Sequence, residues 1–159
     1  QARIDTIKVF GGTLKKAVAG ENIGLLFDDP SIAKRGEIIA GEKDRLQPTD
    51  NFRADVFWMS AQPLKVNEKI ILRCSTQEVD CVAQRLEKRI DSSTFKIIEK
   101  DASELKQNES GVVIFRTEKP IIIEKLDFIE ELGRFILEAA DEVRGVGIIT
   151  STPHQNRIR

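Results

Sequence analysis

The apolar residues of this chain come in short, β-branched runs, each closed within a few positions by Gly, Pro, Asp or Asn, and that spacing constrains the fold more than any other feature. Ile4, Thr6, Lys8 and Phe10 interleave with Asp5, Ile7 and Val9 and stop at Gly11-Gly12, which predicts a strand and a hairpin turn. Ile23-Gly24-Leu25-Leu26-Phe27 is too short for a helix and ends at Asp28-Asp29-Pro30, so it reads as a buried strand with a turn behind it. Residues 35–41 give one more short strand. Residues 42–51 are polar, carry Pro48 and have no period, as a stretch between two units should.

Residues 52–59 open the second unit. Ala54, Val56 and Trp58 share one strand face and Asp55, Phe57 and Met59 the other. Both faces are largely apolar, and a small barrel has one interior, so one of them must be covered from outside. The expectation is that Val56 and Trp58 fill the core while Phe57 and Met59 form an outer contact. Trp58 beside Met59 also suits a docking anchor, with barrel core as its more ordinary role. Residues 69–75 read as a strand, whereas Val82, Leu86 and Ile90 in residues 79–90 suit a helix stripe and a strand face equally. Residues 95–98, 111–117 and 120–124 are strand candidates, 102–110 a polar turn and 126–132 a helical turn, and residues 133–137 and 145–150 supply two closing strands. The implied fold class is all-β, a barrel or a sandwich. The expected division is 1–45, a linker at 46–51, a barrel over 52–150 and a disordered tail over 151–159.

Composition narrows the chemistry. Against 25 Lys and Arg stand 26 Asp and Glu, so there is no global basic field of the kind that marks nucleic-acid or anionic-membrane binders. No apolar run approaches the roughly 20 residues of a bilayer span, and a cytoplasmic chain with no membrane partner is expected. Gly36 to Lys43 imitates a phosphate loop, but Glu42 stands where the lysine must be and would repel a phosphate. Gly145 and Gly147 lack the third glycine of a dinucleotide fingerprint and serve close strand approach instead. Asp28-Asp29 and Glu130-Glu131 are neighbours that point to opposite strand faces, which suits turns and surface better than an acid/base pair. His154 lies in the polar tail, and Cys74 and Cys81 lie on apolar faces as core thiols. No catalytic, cofactor-binding or metal-ligating residue is assigned. Arg85, Lys88, Arg89, Lys96 and Lys100 form a basic cluster interrupted by Glu87, Asp91 and Glu99, which reads as a solvated hairpin or as an RNA contact.

Ala17-x-Ala19-Gly20-Glu21-Asn22-Ile23-Gly24-Leu25-Leu26, followed by Ile32 and Gly36-Glu37-Ile38-Ile39, resembles the end of the second domain of GTPases of the elongation factor Tu class. Gly133-Arg134-Phe135 with Gly145-Val146-Gly147-Ile148-Ile149 resembles the closing strands of their third domain. Within that class, Val56-Phe57-Trp58-Met59 with Pro63, and Leu105-x-x-Asn108-Glu109-x-Gly111-Val112-Val113 leading to Lys119-Pro120-Ile121, are similar to the GTPase subunits of bacterial sulfate adenylyltransferase.

The resemblance implies two small antiparallel β-barrels of the domain II and III type, the first incomplete, with residues 79–90 a long strand. It implies a fragment, because the family holds GTP and Mg in an N-terminal domain whose motifs are not found here. The implied partners are the catalytic sulfate adenylyltransferase subunit and the chain's own G domain, and the unpaired edges of an open barrel predict self-association. Under the elongation-factor alternative the partner is aminoacyl-tRNA, held by the basic cluster.

Overall fold

The computed structural model describes residues 3–29, 31, 33–41, 44 and 46–153, and the chain divides between Ile39 and Ala40 into two units. In the first, β1 (Ile4–Val9), β2 (Gly12–Leu14) and β3 (Gly24–Phe27) form an antiparallel sheet in the order β2-β1-β3. Gly11 takes φ 83° in the tight turn between β1 and β2, a conformation that a side chain would strain. Leu14, Ile7 and Leu25 sit abreast, yet none of the described residues of this unit is buried, because three strands cannot close on themselves. The strand expected over 35–41 is absent: Gly36 turns the chain at φ 95°, and the Glu37 N–H donates to the Lys34 carbonyl. Ile32, Glu42 and Lys43 lie outside the described residues.

The second unit contains β4 (Pro48–Trp58), β5 (Leu64–Lys65), β6 (Lys69–Cys74), β7 (Gln77–Asp91), β8 (Ile97–Ala102), β9 (Glu104–Leu105), β10 (Glu109–Ile122), a short helix α1 (Glu130–Gly133), β11 (Arg134–Ala139) and β12 (Glu142–Ser151). Strands β10, β4, β12, β11, β6 and β7 pair in that order and β7 returns to β10, closing a six-stranded antiparallel barrel. Closure removes the edges from those six strands. β8 extends the sheet from the far half of β7, and β5 pairs with β9.

Several expectations change. β4 starts at Pro48, four positions before Phe52, so most of the expected linker 46–51 is strand; Pro48 sits at its first position, where a missing N–H is tolerated. Residue Ser151 ends β12 and Thr152 is buried, so the expected tail 151–159 begins in ordered chain, and residues 154–159, His154 among them, lie outside the described residues. Residues 79–90 are strand. Their burial runs through Val79, Cys81 and Ala83 and then shifts parity to Leu86, because the register against β10 slips at Val112/Val113 and Ile114/Phe115, and that slip is why no single period showed. The expected turn at 102–110 contains Ala102 and the fully buried Leu105. β10 runs through 111–117 and on to Ile122 as one element, with a register shift between Arg116 and Ile121 where Pro120 cannot donate to a ladder. The helical turn over 126–132 narrows to α1.

Phe52, Phe115 and Phe135 pack together at the barrel's centre, with ring centroids 5.5 to 5.8 Å apart, one pair stacked and two edge-on. Trp58 is buried, and its Nε1–H donates to the Gln62 carbonyl at 2.7 Å. Gly145 and Gly147 make the space for these rings: a Cβ at Gly145 would stand 2.7 Å from Trp58 Cε3, and one at Gly147 would overlap the Phe135 ring. Buried Gln77 is satisfied at both ends by the Ile122 backbone, which ties the start of β7 to the end of β10. Trp58→Ala should therefore cost about 3–5 kcal/mol and Gly147→Ala about 1–3 kcal/mol, the first by a cavity and the second by overpacking, both read from denaturant melts. A Gly147→Ala variant as stable as wild type would place the Phe135 ring elsewhere.

Candidate functional site

The alternation of β4 sets the site. Phe52, Ala54, Val56 and Trp58 are buried inward, and Asp55 and Phe57 face out, as the sequence pattern requires. Phe57 stands directly opposite Val146 on β12 and Ser110 on β10; Val146 is opposite Ile136 on β11, and Ile136 opposite Arg73 on β6. One row of cross-strand neighbours thus carries three apolar side chains across the outside of a closed barrel. Ile148, opposite Asp55, extends it. Together they line an open groove of about 660 Å³ rimmed by Arg73 and Arg134.

Val146 and Ile148 are 38% and 41% exposed and Phe57 and Ile136 are half-buried, so the barrel covers this row only in part. Arg73 is engaged by Glu78 and Glu138, the Glu138 hydrogen bond raising its pKa further, and Arg134 pairs with Glu130. Asp55 has no ion-pair partner among the described residues. Met59 is 38% exposed but does not line the groove; its N–H donates to the Arg144 carbonyl at the end of the barrel. Of the two residues expected to form an outer contact, the structure brings only Phe57 to this surface. Its companions Ile136, Val146 and Ile148 escaped the sequence reading, although Val146 and Ile148 alternate with Gly145, Gly147 and the buried Ile149.

The basic cluster divides into two kinds of residue. Arg89 makes a bidentate pair with Glu109, with Nη2 to Oε1 at 2.8 Å, reaches Glu99 at 3.3 Å, and leaves only 15% of its side chain exposed. Arg85 pairs with Asp101 at 2.6 Å. Both arginines hold the β7–β8 extension in place. Lys88, Lys96 and Lys100 have no ion-pair partner among the described residues, and Lys88 lies directly opposite Lys100.

The two thiols are buried, which pushes Cys74 up to about 11 and Cys81 to about 12, so both stay protonated and unreactive near neutrality. Among the described residues no three His, Cys, Asp or Glu side chains gather as a metal site would require. The arrangement offers surfaces for binding.

The model of the family of GTP-eEF1A C-terminal domain-like sequences matches residues 51–150, which is the closed barrel. The chain belongs to this family. It is 28% identical over 137 residues to sulfate adenylyltransferase subunit 1 of Shewanella woodyi, covering 86% of this chain and 29% of that protein. It is 29% identical over 153 residues to elongation factor 1-alpha of Ignicoccus hospitalis, covering 92% and 34%. The fold matches Sup35 complexed with GDP at a TM-score of 0.85 and 15% identity, over 94% of this chain and 37% of that one. The chain thus spans about a third of the length of the relatives it matches.

The Arg89 hydrogen bonds hold the Glu109 carboxyl below the usual carboxylate range against an opposing effect of burial, with the Lys106 N–H assisting. A depressed folded value contributes stability that is complete above the unfolded pKa of about 4.3 and is lost as pH falls through the folded value. Glu109→Gln should melt below wild type at pH 7, and the gap should close as pH falls from about 4.3 toward 2. A gap that stays constant across that window would show that the Arg89 pair does not carry it.

Proposed function

We propose that this chain is the non-catalytic barrel region of a cytoplasmic GTPase subunit of sulfate adenylyltransferase, in the service of sulfate assimilation. On this reading GTP hydrolysis on the parent's own G domain drives formation of adenylyl sulfate on a separate catalytic subunit. The barrels supply scaffold and docking surface. The observation that carries the docking role is Phe57, with Val146, Ile148 and Ile136, on the outside of a barrel whose inside is already filled. The sulfate assignment draws on the likeness to sulfate adenylyltransferase subunit 1 over most of this chain.

The tRNA-binding alternative draws on a comparable likeness to elongation factor 1-alpha. Against it, Arg85 and Arg89 are spent on Asp101, Glu99 and Glu109, which leaves three lysines for a phosphate backbone.

Phe57→Ser should leave the melting temperature within a few degrees of wild type, because the side chain lies outside the core. It should weaken binding to the catalytic sulfate adenylyltransferase subunit about tenfold in titration calorimetry, as loss of an aromatic anchor does. Wild-type chain that ignores that subunit but retains aminoacyl-tRNA would move the assignment to the elongation-factor class.

A further inference from the structure

At the tip of the β7–β8 hairpin the chain displays an aromatic ring at a conformational cost. Phe95 is 84% exposed and has φ 56°, the left-handed region where a bulky residue is strained. The turn is built to hold it there. The Asp91 carboxylate accepts from the N–H groups of Ser93 and Thr94 and from the Thr94 hydroxyl, the Phe95 N–H donates to the Asp91 carbonyl at 2.8 Å, and the Asp91 N–H donates to the Lys96 carbonyl at 3.0 Å. Behind Phe95, Ile97 and Ile98 are about half exposed, with Ile97 directly opposite Ile90.

The charges around this apolar tip do not balance. From Glu87 to Asp101, the part of the hairpin nearest the tip, each carboxylate is committed: Glu87 to Arg53, Glu99 to Arg89, Asp101 to Arg85, and Asp91 to its own turn. Lys88, Lys96 and Lys100 are left over, and the direct opposition of Lys88 and Lys100 is unfavourable until an anion lies across them. The outer edge of β8 is also a poor template for an added strand, because Asp101 breaks its course at φ 49°. Contact must come through side chains.

We propose that this hairpin tip is a second protein-docking element, in which Phe95 inserts into an apolar pocket of a partner and Lys88, Lys96 and Lys100 meet carboxylates on the pocket's rim. It is independent of whatever occupies the Phe57 groove. A protein suits the tip better than RNA, since Ile97 and Ile98 offer nothing to bases or phosphates and both arginines are engaged. A bilayer suits it less, because Asp91 and the Ser92-Ser93-Thr94 turn would have to leave water beside Phe95.

The test is a phage-displayed random dodecapeptide library, depleted on a Phe95→Gly chain and then selected on wild type. Glycine adopts the left-handed turn freely, so this variant should melt above wild type. Surviving clones should pair an aromatic or aliphatic residue with flanking Asp or Glu. A synthetic representative should lose about tenfold in affinity on Phe95→Gly, and also on Lys96→Glu with Lys100→Glu. No surviving clone, or clones without acidic residues, would overturn the proposal. So would a Phe95→Gly chain that melts below wild type, which would make Phe95 structural. Phe95-dependent binding of a single-stranded RNA 20-mer, or of phosphatidylserine vesicles, in place of acidic peptides would overturn it in favour of those partners.

Discussion

A closed barrel has one inside, and every strand in it sends alternate side chains to that inside and to the exterior. In this chain the inside is occupied by Phe52, Phe115, Phe135, Trp58 and their aliphatic neighbours, which are almost wholly removed from solvent. That filling fixes β4, because Phe52, Ala54, Val56 and Trp58 must point inward, and pairing on both sides by β10 and β12 leaves no freedom to rotate. Phe57, Val146 and Ile148 are then outside as a consequence, and folding of the barrel gains little from them. An apolar row in that position is what the proposed docking role uses.

The same constraint sorts the glycines and the charges. Gly145 and Gly147 face inward on β12, where rings from β4 and β11 need the room that a Cβ would take. The alternation of glycine inside with valine and isoleucine outside makes β12 a strand whose apolar weight lies on its outer face. The Arg89–Glu109 pair does different work, fastening the far half of β7 where the barrel gives way to the β8 extension. Arginines spent in this way are fixed parts of the scaffold, which is why a residue count of the basic cluster overstates its capacity for phosphate.

Much of the barrel was legible in the sequence because its apolar runs are short, β-branched and bounded by turn residues; the inward set Ala54, Val56 and Trp58 follows from period 2 alone. What escaped was non-local. The parity shift in β7 between Ala83 and Leu86 arises from the register against β10, which no single strand reports. Pro48 to Asn51 looked like linker because polar residues can pair at the start of a strand, and Leu105 looked like turn because its partner Leu64 is 41 positions away. At the candidate site Phe57 was readable from its own strand. Its companions on β11 and β12 were not, since their adjacency depends on strand order. Phe95 read as strand because aromatic and β-branched residues favour strands, and only the backbone shows that it sits in the turn.

Hydroxyl-radical footprinting of the chain with and without the catalytic sulfate adenylyltransferase subunit tests the central claim most directly, because it reads side-chain exposure residue by residue. The account predicts that modification of Phe57, Val146 and Ile148 falls together on complex formation, while that of Phe128, exposed on the same unit but not lining the groove, is unchanged. Unaltered modification of Phe57, Val146 and Ile148 in a complex that forms would contradict it.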